Sequence, residues 1–234
     1  MAASVAIYHI KGHKRSMIIA NDMAAGIKKV GDPCRVISYD RFREPEARIA
    51  VFYGYDQQMQ VIFQKYRERN LPVVYVDLGY FGRLEGGKWS GYHKIAVNSR
   101  HPTAYFQKKP HDSSRASRFR LTFNPWKDGS HILICGTSDK GAIVDGFRPQ
   151  QWETETINLL RKVTQRPLIY RPKPSWAGAS PIPGSIFAQS KESISKWLHD
   201  CHAVVSHHSN ACVDAMLAGV PNFCVEGVGV PLSE

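Results

Sequence analysis

The sequence predicts an α/β protein of two lobes, each built on a parallel sheet, with a cleft between the lobes. Short apolar or β-branched runs alternate with segments of helical periodicity along the 234 residues. Parallel strands need crossover connections, and helices supply them. Residues 100–127 are rich in Arg and Lys, and Pro110 and Pro125 are expected to break any regular element, so we interpret the segment as a linker or basic binding loop. The expected lobes are residues 1–125 and 126–234.

The N-terminal lobe is expected to begin with the buried strand Val5–Ile10, followed by a basic turn and a helix. A second helix is indicated by Met59, Ile62, Phe63 and Tyr66, which share one helical face. The full set of expected elements is strands over residues 5–10, 35–38, 49–53 and 73–76 and helices over residues 16–29 and 58–70.

In the C-terminal lobe, the apolar run His131–Cys135 predicts a strand that leads into Gly136-Thr137-Ser138. Further expected elements are strands over residues 168–170 and 203–205, helices over residues 151–164 and 190–199, and a helix that opens near residue 209. That last helix is predicted to stop at Gly219, before Pro221.

Composition narrows the possible partners. With 31 Lys and Arg against 20 Asp and Glu, the formal charge is +11, which favours nucleic acid, nucleotides or acidic glycans. Five cysteines without a CxxC pair indicate reduced thiols, and the histidines of Ser206–Ser209 lack the local partners of a closed zinc site. We therefore expect no metal. A cytoplasmic protein without a membrane-spanning segment is expected, because no secretory leader and no run of about 18 apolar residues occur.

The most informative segment is the polar turn Ser206–Asn210, which follows a strand and opens a helix. Ser209 and Asn210 are good N-cap residues, and the free N–H groups of a helix start favour a phosphate. Asp214 lies one turn further in. The alternative is that Ser209 or Asn210 only caps a structural helix.

This segment resembles the nucleotide-binding half of GT-B glycosyltransferases, in which a Ser-rich turn binds the donor phosphates and an acidic residue on the helix holds the ribose. The nearest likeness is to capsular-polysaccharide and Kdo-transferase-like GT-B proteins. These carry a basic-Pro motif, often Arg-x-His-Pro, where this chain has Arg171-Pro172-Lys173-Pro174. Lys173 keeps a cation for phosphate but has no titratable imidazole. A rigid Pro-rich exit loop is the alternative.

The likeness extends weakly over residues 70–232. The acidic-x-Gly-Tyr pattern of that family is similar to Asp77-Leu78-Gly79-Tyr80, and its later Val-Asn pattern is similar to the run from His93 to Asn98. It implies two Rossmann-like lobes and makes Asp77 the candidate base. Asp77 could equally cap a turn or pair with Arg83. His13, at the edge of the expected cleft, is an alternative base or a solvated loop histidine.

Two sets of site residues follow. Those expected to bind the donor and its phosphates are Gly136, Thr137, Arg171, Lys173, Ser206, His208, Ser209, Asn210 and Asp214. Those expected to contact an acceptor or nucleic acid are Lys14, Arg15, Arg83, His93, Arg100, Arg115 and Arg118.

The resemblance implies a metal-independent glycosyltransferase with a nucleotide-sugar as co-substrate and no cofactor. The positive charge favours a hydroxymethylated base in DNA as acceptor, as in phage DNA glycosylation, whereas the family likeness indicates a surface glycan. Because the chain is short for this fold, an inert GT-B-like module that binds nucleotides or nucleic acid also stays open. So does a sugar-nucleotide epimerase or hydrolase.

Overall fold

The computed structural model describes residues 4–82, 91–108, 114–188 and 192–233. The chain folds into two compact units, Met1–Pro102 and Thr103–Glu234. The sequence instead suggested a boundary at residue 125. The end of the basic segment is bound to the second unit, since Asn124 N donates to Leu217 O at 3.0 Å and Lys127 N donates to Gly219 O at 3.1 Å.

The first unit is built on a five-stranded sheet in the order β2-β1-β3-β4-β5. The first four strands are parallel, and β5 runs antiparallel to β4, so this sheet is mixed where a parallel one was expected. Its elements are β1 (Val5–His9), α1 (Lys14–Lys29), β2 (Cys34–Ser38), β3 (Ile49–Tyr53), α2 (Gln57–Glu68), β4 (Val73–Leu78) and β5 (His93–Val97).

Alternating side chains of β1 cover both faces of this sheet. Val5 and Ile7 pack with Ile19 of α1 on one face. Tyr8 packs with Tyr66 of α2 on the other face, and their hydroxyls are 3.1 Å apart and buried. Because a strand places successive side chains on opposite faces and both faces are covered, the side chains of β1 are buried on both sides of the sheet.

The second unit contains a five-stranded sheet that is parallel throughout, in the order β10-β9-β6-β7-β8. This confirms the predicted parallel sheet. Its elements are α3 (Thr103–Lys108), α4 (Ser114–Ser117), β6 (His131–Cys135), α5 (Asp139–Val144), α6 (Gln151–Leu160), β7 (Leu168–Arg171), β8 (Ile186–Phe187), α7 (Ile194–Leu198), β9 (Cys201–Ser206), α8 (Ala211–Leu217) and β10 (Asn222–Cys224).

Several predicted boundaries differ from the structure. Helices α3 and α4 occur inside the basic segment, where Pro110 and Pro125 were expected to prevent regular structure. Helix α6 ends at Leu160 rather than residue 164, because the chain tightens there: Lys162 N donates to Leu159 O and Val163 N to Leu160 O, a 3₁₀ pattern.

Apolar side chains from both faces of the second sheet are buried. Leu133 and Val204 pack with Ala215 of α8, and Ile134 packs with Ile157 of α6. The polar turns at the ends of β6, β7 and β9 therefore extend from a packed core. In the part of the chain that the structure describes, no helix is both long and apolar enough to span a bilayer.

Candidate functional site

Three neighbouring strands of the second sheet end at the same level. Cys135 of β6 is in register with Arg171 of β7 on one side and with Ser206 of β9 on the other. The residues that follow each strand therefore meet at one edge, the carboxyl edge, where open parallel α/β sheets bind ligands. The predicted donor set lies along this edge or in the helix that opens from it.

The turn after β6 is fixed by a buried carboxylate that the sequence analysis missed. Thr137 donates its backbone N–H to Glu153 Oε1 at 2.6 Å and its hydroxyl to the same oxygen at 3.0 Å. Glu153 is fully buried. A Cβ at Gly136 would lie 2.7 Å from the ring of Tyr170 and 3.1 Å from Glu153 Oε1. Internal packing thus requires the glycine, and the hydroxyl of Thr137 is engaged.

The turn after β9 carries the Ser, His and Asn residues of the predicted phosphate site. Ser206 is buried, and its hydroxyl points to Cys224 Sγ at 3.7 Å. Ser209 Oγ accepts from Ala211 N at 3.2 Å, whereas Asn210 occupies the N-cap position without a side-chain hydrogen bond to the described helix. Ser209 therefore precedes the N-cap, and its hydroxyl accepts from the first N–H of α8. Its role toward phosphate stays a prediction.

The cation that ends β7 and the one that follows it differ in their surroundings. Arg171 is half-buried, and its guanidinium donates to Glu192 O at 3.0 Å. Lys173 is exposed, and its backbone carbonyl accepts from Trp176 N at 2.9 Å. Of the two, Lys173 is the cation that a phosphate in solvent would reach first.

A cluster of two histidines and one carboxylate lies at the same edge. The Nδ1 atoms of His207 and His208 are 3.0 Å apart, and Asp145 Oδ2 lies 3.6 Å from the first and 3.3 Å from the second. The rings of Phe147 and Trp152 meet the His207 ring edge to face, at centroid distances of 5.5 and 5.7 Å. Sequence reasoning identified His208 but not Asp145, because no local pattern connects the end of α5 with the turn after β9.

A pair of thiols lies beneath the same turn. A hydrogen bond with Cys212 holds the pKa of Cys224 below its usual value, although burial opposes the shift, and the same pairing with burial raises the pKa of Cys212. A Cβ at Gly229 would come within 2.5 Å of the Cys212 sulfur and 2.8 Å of the Cys224 sulfur, so both sulfurs contact this glycine. All five cysteines, each within the described ranges, are free thiols. Asp214 is half-buried in the first turn of α8.

In the first unit, Asp77 stands at the end of β4 with three polar neighbours. Tyr75 donates its hydroxyl to Asp77 Oδ2 at 2.8 Å, and Leu78 N donates to Oδ1 at 2.8 Å. Lys94, in register on β5, places Nζ 3.9 Å from Oδ2. Burial and the charge of Asp77 raise the pKa of Tyr75. Lys94 is thus a cationic partner that the sequence did not suggest, while the suggested partner Arg83 lies outside the described residues.

Tyr53 is the centre of a second group of predicted residues. The ring of His13 lies 6.0 Å from the Tyr53 ring, the ring of His93 lies 6.1 Å from it, and Arg15 donates to its hydroxyl at 3.4 Å. Burial, together with the Arg15 charge, lowers the pKa of His93. His13 Nδ1 accepts from Ser16 N at 3.1 Å and so caps α1, which occupies the nitrogen a neutral base would use.

The remaining basic candidates are dispersed. Lys14 and Arg118 are exposed, and Arg100 lies over the ring of Tyr55 at 5.4 Å. The side chain of Arg115 lies outside the described residues. Among the first-unit candidates, His13, Arg15 and His93 therefore lie around Tyr53, while Asp77 accepts from Tyr75.

Comparison with known proteins supports the fold. No protein-family model and no curated protein matches the sequence. Among solved structures, the chain is similar to KpsC beta Kdo 2,4 transferase of Thermosulfurimonas dismutans, with a TM-score of 0.58 and 12% identity over 96% of this chain and 80% of that chain. The chain has the fold of this Kdo transferase.

A second structure, KpsC beta Kdo 2,7 transferase of the same organism, matches with a TM-score of 0.49 and 11% identity over 95% of this chain and 78% of that chain. The likeness to the first structure confirms the two-lobed, Rossmann-like, GT-B-like architecture that the sequence motifs predicted. At this identity the likeness is one of fold, so the chemistry has to be argued from the residues.

Proposed function

We propose that the protein is a glycosyltransferase that takes a sugar from a nucleotide-sugar and transfers it to a hydroxyl acceptor. One observation carries this proposal. In a chain with the fold of a Kdo transferase, the turns after β6, β7 and β9 meet at the carboxyl edge of one parallel sheet, because Cys135 is in register with both Arg171 and Ser206.

The donor binds at this edge. Lys173 supplies an exposed cation, and the backbone of the Ser206–Asn210 turn supplies N–H groups next to the start of α8. A phosphate gains about 1.5–3 kcal/mol from each hydrogen bond in which one partner is charged. The same cation and N–H groups stabilise the charge that develops on the phosphate as the sugar leaves.

Asp77 is the base that deprotonates the acceptor hydroxyl. Its side chain is 34% exposed, and the two hydrogen bonds it accepts within the chain leave further lone pairs for the substrate. Tyr75 and Lys94 hold the carboxylate in one orientation. His13 is the weaker candidate because its Nδ1 caps α1.

For the acceptor we favour DNA that contains hydroxymethylated bases, with phage DNA glycosylation as the closest parallel. The formal charge of +11 and the exposed cations Lys14 and Arg118 support a polyanionic partner. A surface glycan is the second candidate, and it is supported by the name of the structural neighbour, a Kdo transferase. The cytoplasmic location and the absence of a cofactor stay predictions.

Nucleotide binding tests the donor site. Lys173→Ala is expected to weaken the binding of CMP- and UDP-sugars in calorimetry by at least about tenfold, because the variant loses one charge-assisted contact of about 1.5–3 kcal/mol. The matched control is Lys162→Ala. Lys162 is also exposed, but it follows α6 and precedes β7, which places it toward the opposite edge of the sheet. Equal affinity in the two variants would contradict the donor site.

Turnover tests the base. Asp77→Asn keeps the size of the side chain and its acceptor oxygen for Tyr75, so the variant should bind the donor as the parent does. Transfer should fall by at least about 100-fold, because general-base catalysis contributes about 10²–10⁴ in rate. Full transfer by a folded Asp77→Asn variant would remove Asp77 from the mechanism.

A further inference from the structure

Three side chains with metal-binding atoms converge at the carboxyl edge of the second sheet. Within the described ranges, Asp145, His207 and His208 are the one group of three His, Cys, Asp or Glu side chains whose ligand atoms all lie within 4.8 Å of one another. The atoms that converge are one carboxylate oxygen and two imidazole nitrogens. Such a set suits Zn²⁺ and its first-row neighbours.

We propose that this triad binds a divalent transition cation, Zn²⁺ foremost, through His207 Nδ1, His208 Nδ1 and Asp145 Oδ2. The three separations are 3.0, 3.3 and 3.6 Å. Ligands at about 2.0–2.1 Å from a tetrahedral zinc ion lie about 3.3–3.4 Å from one another. The three atoms are thus spaced as three corners of a zinc tetrahedron.

A shared proton is the competing explanation, and the carboxylate distances weigh against it. Two imidazole nitrogens 3.0 Å apart can share a hydrogen bond without a metal. A carboxylate that balanced the resulting imidazolium would approach to about 2.7–2.9 Å, as charge-assisted N–H···O bonds do. Asp145 Oδ2 is 3.3 and 3.6 Å from the two nitrogens, which is long for that bond but fits neighbouring ligands of one cation.

The three side chains of this group differ in their exposure to solvent. The side chains of Asp145 and His207 are 3% and 9% exposed, and a buried carboxylate is ordinarily paired or bound to a metal. The side chain of His208 is 24% exposed to solvent. A fourth ligand, either water or a substrate oxygen, can therefore enter beside His208. Three protein ligands with one open position are the arrangement of zinc sites that handle a substrate.

The scaffold holds the ligands before any metal arrives. Asp145 ends α5, where its backbone N donates to Gly141 O at 3.0 Å. The backbone carbonyl of His207 accepts from Glu226 N at 2.7 Å, and Phe147 and Trp152 hold its ring. Ligands fixed in this way lose little freedom on binding, which favours affinity.

The test is metal binding by the full chain, which needs neither a sugar donor nor an acceptor. Chelator-stripped protein is titrated with Zn²⁺ against a chromophoric competitor, and with Co²⁺ for its visible spectrum. We expect one equivalent of tightly bound Zn²⁺. His208→Ala and Asp145→Asn should each weaken binding by at least about tenfold, since even changes in groups that only orient metal ligands cost about 10- to 100-fold.

The matched control is His202→Ala, which removes a histidine of β9, the strand that precedes His207 and His208; His202 pairs with Asp128 at 2.6 Å. Affinity should be unchanged in this variant. The Co²⁺ spectrum of the unmutated protein should show nitrogen and oxygen ligation without thiolate charge transfer, and this result does not depend on how any variant folds. Any one of three results would overturn the proposal. These are the absence of stoichiometric Zn²⁺, equal Zn²⁺ affinity in His208→Ala and His202→Ala, and a thiolate spectrum, which would indicate binding by Cys212 and Cys224. Metal binding that fails while nucleotide binding persists would leave the proposed transferase standing.

Discussion

Replacing Glu153 by alanine should destabilise the second unit more than any surface change on the same helix. The substitution removes the acceptor of Thr137 N at 2.6 Å and of Thr137 Oγ1 at 3.0 Å in a fully buried site. A hydrogen bond to a charged group contributes about 1.5–3 kcal/mol, and the relief of an otherwise buried charge offsets part of the loss. We therefore expect the free energy of unfolding to fall by about 3 kcal/mol, whereas Glu153→Gln, which keeps an acceptor oxygen, should lose about 1 kcal/mol.

Tryptophan fluorescence in a urea titration measures this change, because four of the five tryptophans belong to the second unit: Trp126, Trp152, Trp176 and Trp197. The control is Glu155→Ala on the same helix, where an exposed carboxylate accepts from Gln151 Nε2 at 3.0 Å and its loss should change stability by less than about 0.5 kcal/mol. If Glu153→Ala and Glu155→Ala unfold at the same urea concentration, Glu153 does not fix the turn after β6.

Two further predictions concern the surroundings of this edge. The hydrogen bond with Cys212 lowers the pKa of Cys224, so the Cys224 thiolate persists to lower pH than that of an ordinary cysteine. Cys212→Ala should therefore raise the pH at which alkylation of Cys224, measured by mass spectrometry, is half-maximal. An unchanged alkylation profile would refute the assigned cause. Gly219 has φ +70° and a Cβ there would lie 2.0 Å from Pro125 O, whereas Gly146 has φ +81° and open space. Gly219→Ala should therefore cost at least about 2 kcal/mol of unfolding free energy and Gly146→Ala about 1 kcal/mol; equal melting temperatures would contradict this.

The sequence predicted the elements whose patterns are local. The strand at Val73–Val76 follows from β-branched residues, and α2 follows from apolar residues at helical spacing, and both formed within two residues of the expected bounds. Strand β8 has two residues and β5 is antiparallel, and neither has a pattern strong enough to stand out from a loop. The helices in the basic segment were missed because the two prolines were given too much weight.

The candidate site was predictable where one segment carries the whole signal. Ser206–Asn210 follows a strand and opens a helix, so its place at a sheet edge could be foreseen. Glu153 and Asp145 could not, since each acts on a residue of a different element through tertiary packing alone. For the same reason, a metal-free site was expected, because only residues near His207 and His208 in the sequence were weighed as metal ligands. The metal titration now decides that expectation.

The proposed reaction is the transfer of a sugar from a nucleotide-sugar by this chain. The most direct measurement incubates the protein with UDP-, CMP-, GDP- and dTDP-sugars and DNA that contains hydroxymethylated pyrimidines, and then follows donor binding by calorimetry and the DNA by mass spectrometry. We expect that one donor binds and that the DNA gains the mass of one sugar residue. Binding without transfer to DNA would indicate a glycan acceptor or an inert module. If no nucleotide-sugar binds, the proposed transferase activity is contradicted.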